Sequence, residues 1–253
     1  MPDHRRHSYR GLISSDWNEC LAPCGPFDAI AYHYPRLEKR LSAVFRAYTA
    51  NKISLAEATR QVGVLLPQPL TPQQMDAYLQ SAFAAYPGVV ELMAWSSEQD
   101  ICFMLNTTGA IGFFQRAFAK GLVPTIPVLS AHPMIRFAAS RTDPPWILEL
   151  SEISDKAGHT EQVARLLGIP ITKIVLMGDS GGDGPHFRWG AARGARLLGC
   201  MTKPSLEEYC RRSRIKIDYR FGPSHREGHA RDRRAGARVD FMQLSPLIKK
   251  WLF

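Results

Sequence analysis

Asp179 and Asp183 stand four residues apart in a glycine-rich stretch, Gly178 to Pro185, that follows the apolar run Ile174, Val175, Leu176 and Met177. A short apolar run bounded by breakers reads as a strand buried on both faces. The carboxyl ends of such strands are where open α/β sheets bind ligands. Glycines there let the backbone approach a ligand closely, and paired carboxylates are hard oxygen donors suited to a magnesium-type ion. Gly and Asp also suit plain turns, so the stretch gains meaning only from partners elsewhere in the chain.

Three other places offer such partners. Asp16 follows Gly11–Ser15, a short strand candidate, and precedes Pro23, Gly25 and Pro26, which forbid an immediate long helix. It reads as a nucleophile, a metal ligand or a turn cap. Asn106, Thr107, Thr108 and Gly109 end a second strand candidate, Ile101–Leu105, ahead of a helix over Ile111–Lys120. Hydroxyls and backbone N–H groups at a helix N-terminus form an anion site, or the hydroxyls simply cap the helix. Lys156, with Asp155 and His159, precedes a helix over Thr160–Leu167. A lysine there faces solvent, or reaches across the strand ends as a fixed positive charge.

The elements that must position these residues follow from periodicity and punctuation. Phe27 to about Ala85 reads as mostly helical. Pro35–Ala50 carries Leu37, Leu41, Val44, Phe45 and Tyr48 at helical spacing, with Pro35 in the first turn. Ser54 and Glu57 form a capping-box pattern, and Thr71, Pro72 and Gln74 give an N-cap, a first-turn proline and an N3 partner. Val89–Ser96 reads as a short helix and Trp146–Leu150 as a strand. Beyond the glycine-rich stretch the pattern predicts helices over Phe187–Leu197, Glu207–Arg212 and Val239–Leu252. An edge strand is expected at Arg214–Tyr219 and a loop over Gly222–Gly236. No internal repeat is evident.

A chain of 253 residues can bury a sizeable core. No apolar run approaches the ~20 residues of a membrane span, and the charged Met1–Arg10 is not followed by a secretory apolar segment. Cys20, Cys24, Cys102, Cys200 and Cys210 are odd in number and irregular in spacing, which argues for a reducing, cytoplasmic setting and against a zinc site. The net charge of +9 concentrates between Arg211 and Arg238. A basic face attracts anionic substrates or nucleic acid, but only Tyr219 and Phe221 interleave with it, so nucleic acid is the weaker expectation. Oligomeric state is not legible.

The order strand–Asp16, helical insert, strand–Thr108, Lys156 before a helix, and strand–Asp179/Asp183 resembles the haloacid dehalogenase (HAD) superfamily, most nearly its phosphoserine-phosphatase-like branch, over roughly Tyr9 to Gly199. The resemblance implies an α/β fold: a Rossmann-like parallel sheet flanked by helices, residues 1–26 and 87–253, with a small helical cap at 27–86. It implies a Mg²⁺-dependent phosphatase acting on a small phosphorylated substrate, with an aspartyl-phosphate formed on Asp16. Thr108, with Thr107 as a close alternative, would hydrogen-bond the phosphoryl group beside Gly109. Lys156 would neutralise charge, and Asp16, the Asn18 carbonyl, Asp179 and Asp183 would serve the metal. One position departs from the pattern. The family's acid/base aspartate, two residues after the nucleophile, is Asn18 here, and Cys20 stands where a Thr is usual. An amide exchanges no proton at neutral pH. A non-hydrolysing, ligand-binding descendant is therefore the alternative.

Overall fold

The computed structural model describes residues 8–49, 52–225 and 233–253. Its centre is one seven-stranded sheet in the order β4-β3-β2-β1-β5-β6-β7, every pairing parallel. The strands are β1 Gly11–Ser15, β2 Ile101–Ala110, β3 Val128–His132, β4 Trp146–Glu149, β5 Ile174–Gly178, β6 Arg196–Cys200 and β7 Tyr219–Phe221. The order reverses at β1, which lies between β2 and β5 and opens the crevice of a topological switch point.

Alternation along the strands divides the interior. Leu12, Cys102, Met104, Ile174, Leu176 and Leu197 point to one face, and Ile13, Phe103, Leu105, Val175, Met177 and Leu198 to the other. Between β1 and β2 run α1 Asp28–His33, a 3₁₀ turn at Pro35–Leu37, α2 Glu38–Thr49, α3 Leu55–Leu65 and α4 Pro72–Ala82. Then follow α5 Val89–Glu98, α6 Ile111–Ala119, α7 Asp155–Leu167, α8 Gly184–Ala191, α9 Pro204–Arg212, α10 Arg233–Gly236 and α11 Ser245–Leu252. Helices α7, α8 and α9 cover the first face through Val163, Phe187 and Leu206. Helices α5, α6 and α11 cover the second, where the apolar stripes of α1 to α4 join the same core. No described helix is long and apolar enough to cross a membrane.

The turn chemistry read from the sequence is present in part. Thr71 and Gln74 form a complete reciprocal capping box at α4, with Pro72 in the first turn. At α3 Ser54 accepts the Glu57 N–H, but the Glu57 carboxylate binds Arg60 and Gln61 instead of returning to the cap, so that box is half made. The helix expected from Pro35 starts with a 3₁₀ turn and becomes α-helical at Glu38.

Several boundaries differ from expectation for physical reasons. β2 continues past Leu105 to Ala110, its pairing with β3 irregular between Asn106 and Ala110. α7 begins at Asp155, so Lys156 and His159 lie inside the helix, where the Asp155 carboxylate accepts the Ser151 and Glu152 N–H groups. The helix expected over Phe187–Leu197 is α8 followed by β6. Gly194, with φ +84°, reverses the chain in a left-handed conformation that ends helical continuation. Arg214–Tyr219 is not the edge strand. Pairing with β6 starts only at Tyr219, while Ile217 packs into the core. The closing helix divides into a 3₁₀ turn, Phe241–Leu244, and α11. Of the loop expected over Gly222–Gly236, Arg233–Gly236 is helical and residues 226–232 lie outside the described residues.

Candidate active site

Asp16 is the first residue beyond β1. Its N–H bonds the Met177 carbonyl of β5 at 3.0 Å, which fixes it at the carboxyl edge of two neighbouring strands. Its Oδ1 accepts the Trp17 N–H at 2.6 Å and its Oδ2 lies 3.1 Å from Lys156 Nζ. Lys156 is only 2 % exposed and also donates to Asp183 Oδ1 at 2.7 Å. The second oxygen of Asp183 accepts the N–H groups of Asp179 and Ser180, so this carboxylate organises the loop after β5. That return needs Gly178, because a Cβ there would stand 2.6 Å from the Asp183 side chain.

The first turns of α7 are held in place by a buried polar network. The Asn106 amide donates to Ser14 Oγ, the Lys156 carbonyl and Thr160 Oγ1, and Thr160 pairs in turn with His186 Nε2. The amide nitrogen is fully engaged, while the buried Asn106 Oδ1 has no partner among the described residues.

Sequence reasoning missed Lys203, which follows β6. Its N–H bonds the Asp179 carbonyl, and its Nζ lies 3.1 Å from Asp179 Oδ2 and pairs with Glu19. The signal was a lysine at a strand end, visible only once Arg196–Cys200 is read as a strand. Thr107 is fully buried, within hydrogen-bond reach of Asp16, and donates to Asn18 Oδ1. Thr108 faces Tyr48 of α2 instead. Gly109 gives its N–H to Thr107 Oγ1, and no side chain caps α6. Asn18 Nδ2 donates to the Cys24 carbonyl at 3.3 Å. Cys20 is buried, its thiol beside that of Cys200.

Electrostatics follow from this packing. Burial pushes the Asp16 carboxyl above its usual range, with Lys156 opposing and Asp183 adding to the rise. Asp179 is pushed up to about 7 by burial, against the pull of Lys203 and with the nearby carboxylates reinforcing it. Asp183 is also fully buried, but Lys156 and the two backbone N–H groups outweigh that and hold it low. Burial would lower Lys156, yet Asp16 and Asp183 keep it protonated. Asp16, Asp179 and Asp183 each offer a carboxylate oxygen within 4.8 Å of the others. That set fits a hard divalent cation. All three carboxylates are engaged, Asp183 by Lys156 and the loop, Asp16 by the Trp17 N–H and Lys156, and Asp179 by Lys203, so an ion there would compete with the two lysines. In the basic stretch Arg211 and Arg212 pair with Glu208, and Arg220 pairs with Glu207.

The sequence matches no family model and no curated protein. The fold does match solved structures. A phospho-aspartyl intermediate analogue of phosphoserine phosphatase aligns with TM-score 0.66 at 15 % identity, covering 94 % of this chain and 99 % of that one. A substrate-bound phosphoserine phosphatase complex aligns at 0.65 and 14 %, covering 94 % and 97 %. A HAD family hydrolase from Salmonella enterica serovar Typhi aligns at 0.67 and 17 %, covering 95 % of this chain and 72 % of that one. The chain has the phosphoserine-phosphatase-like HAD fold, with a buried acidic cluster at the switch point of its sheet.

Proposed function

We propose that this protein is a magnesium-dependent phosphatase that hydrolyses a small phosphate monoester through an aspartyl-phosphate on Asp16. Residues 1–26 and 87–253 would form the catalytic domain and residues 27–86 a cap over it. The observation that carries the reading is the ion pair of Asp16 with the buried Lys156, itself bonded to Asp183, beside Asp179. An isolated buried carboxylate would protonate; here a fixed ammonium opposes that protonation at the strand edge.

In the first half-reaction an Asp16 oxygen would attack phosphorus, and the alcohol oxygen would depart with the electrons of the P–O bond and take its proton from solvent water. In the second, water would attack phosphorus and give its proton to solvent as the Asp16 carboxylate departs, releasing inorganic phosphate. Lys156 and the Thr107 hydroxyl would bind the phosphoryl oxygens, and Asp183 would orient the lysine. Asp16 and Asp179, with the Asn18 backbone carbonyl, would hold Mg²⁺, which would supply positive charge that lets two anions approach. Positioning and charge neutralisation are most of what phosphoryl transfer requires.

A second reading has its own support. The Asn18 amide is engaged by the Cys24 carbonyl and the Thr107 hydroxyl and offers no proton to a leaving group. A protein that binds a phosphorylated ligand and turns it over slowly, or not at all, fits that residue. The test is phosphate release from a panel of monoesters with and without Mg²⁺, with Asp16→Asn as control. Mg²⁺-dependent release lost in Asp16→Asn supports the phosphatase. No release from any ester moves the weight to the binding protein.

A further inference from the structure

Tyr48 brings the helical segment between β1 and β2 to the acidic site. It lies in the last turn of α2 and is buried, and its hydroxyl is within hydrogen-bond reach of Thr108. It also stands near enough to Lys156, Asp16 and Asp183 for their charges to act on it. Burial raises its pKa, with Lys156 and Thr108 opposing and the two carboxylates adding to the rise, so the phenol keeps its proton. Two hydroxyls that pair with each other use one of their two protons and leave the other for a third acceptor.

A second contact fixes where α2 stands. Glu152, on the segment between β4 and α7 that leads to Lys156, accepts the Leu55 N–H at 3.2 Å and the Ala56 N–H at 3.1 Å. Ser54 takes the Glu57 N–H, so the exposed donors of the first turn of α3 are engaged, in large part by Glu152. Helix α3 packs against α2, and Leu55, Ala58 and Val62 share one core with Leu41, Val44 and Tyr48. The Glu152 carboxylate thereby holds the helix pair that carries Tyr48.

We infer that Tyr48 is a phosphoryl-binding residue, its hydroxyl joining Thr108 and Lys156 around the anion, and that Glu152 is the positioning residue that brings it there. The inference rests on the phosphatase reading for where the phosphoryl group lies. Lys156 already divides its charge between Asp16 and Asp183. An arriving phosphoryl group therefore needs further donors, and a buried neutral O–H bonds an anion strongly without adding charge to the site.

The experiment is titration calorimetry of inorganic phosphate into the protein with Mg²⁺ present. Tyr48→Phe keeps the ring and removes the hydroxyl. It should weaken phosphate binding about tenfold or more, the scale of a hydrogen bond to a charged group, while the Mg²⁺-dependent rise in Tm stays that of wild type. Glu152→Ala should weaken phosphate binding several-fold in wild type and add nothing in the Tyr48→Phe background, because it acts through that hydroxyl. A purely structural role for either residue would lower Tm without this pattern. If Tyr48→Phe fails to fold, Thr108→Val removes the partner hydroxyl and takes its place in the same cycle. The inference is overturned if wild type binds no phosphate, if Tyr48→Phe binds it as tightly as wild type, or if Glu152→Ala costs as much in the Tyr48→Phe background as in wild type. Failure of the phosphatase reading looks different: phosphate binds and depends on Tyr48, yet no monoester is hydrolysed.

Discussion

On the proposed phosphatase reading, position 18 separates holding a phosphate from turning it over. Its amide nitrogen faces the Cys24 carbonyl oxygen and its amide oxygen takes the Thr107 hydroxyl. In Asn18→Asp, the oxygen nearest Cys24 would need a proton to avoid opposing a carbonyl, so the site favours the protonated acid that a leaving alcohol needs. Asn18→Asp is therefore expected to raise kcat by about 10²-fold, the lower end of positioned acid–base help. It should also add an alkaline limb to the pH–rate profile. Unchanged kcat and an unchanged profile would show that protonation of the leaving group is not the missing step. His186 bears on pH in another way. It is fully buried between Thr160 and Trp189, and burial, with Lys156 nearby, lowers its pKa to about 3, Asp183 opposing. An imidazole unfolded at its ordinary 6.5 takes up a proton before the folded one does, so this residue withdraws stability as pH falls from 6.5 toward 3. Asp179, raised by burial, acts in the opposite sense over part of that range, so the wild-type curve alone does not isolate either group. The difference curve does. The stability of His186→Gln relative to wild type should improve on acidification from pH 7 to pH 4, by at most about 3 kcal/mol. Parallel denaturation midpoints across that range would refute the assignment.

At the scale of elements, β5 and the loop after it act as one device, because the carboxylate of Asp183 folds back over Gly178. Gly178→Ala would place a methyl within 2.7 Å of three Asp183 atoms, none of them the free end of a long side chain. Overpacking of this kind costs about 1–3 kcal/mol, and here it also displaces a partner of Lys156. Lower stability in urea together with phosphate binding weakened beyond detection is the expected result, and native affinity would refute the coupling. Thr71→Ala is the contrasting case. Loss of the capping box should cost about 1 kcal/mol while leaving the Mg²⁺ affinity of the protein unchanged, since α4 contributes no carboxylate to the cluster. β5 was legible as a short apolar run and β1 as a short strand candidate, each followed by an acid. β6 was not, because Ala191, Ala192, Arg193, Gly194 and Ala195 continue a helical composition into it, and the error hid Lys203. The start of α7 was illegible because Ser154 caps nothing, so Lys156 read as a loop residue. Ser14, Asn106, Thr160 and His186 come from four separate elements and leave no local signature; only the assembled sheet shows them as one network.

The whole molecule gathers charge at one edge of its sheet. Asp16 and Glu19 follow β1, Asp179 and Asp183 follow β5, Lys203 follows β6, and Lys156 comes from α7. Fully ionised, these four acids and two lysines, joined by the observed ion pairs, would leave two negative charges at a crevice in a chain whose net charge is +9, an excess that Asp179, pushed up to about 7, relieves in part by taking a proton. Burying that excess is unfavourable without a counter-charge, and the residual charge equals that of one divalent cation. Because the cluster bridges the two halves of the sheet, a cation that binds only the folded state should stabilise all of it. At a hundredfold excess over its Kd, Mg²⁺ contributes about 2.7 kcal/mol, which for a chain of this size is a rise in Tm of roughly 5–10 °C. The shift should vanish with chelator and shrink in Asp179→Asn. Lys203→Met separates the roles further. It strips a counter-charge from Asp179 and Glu19, so the metal-free protein should melt lower. It also frees an Asp179 oxygen for the ion, so the Mg²⁺-dependent rise should be larger than in wild type. Identical melting of wild type in Mg²⁺ and in chelator would show that the two lysines alone balance the cluster, and that the carboxylates are structural.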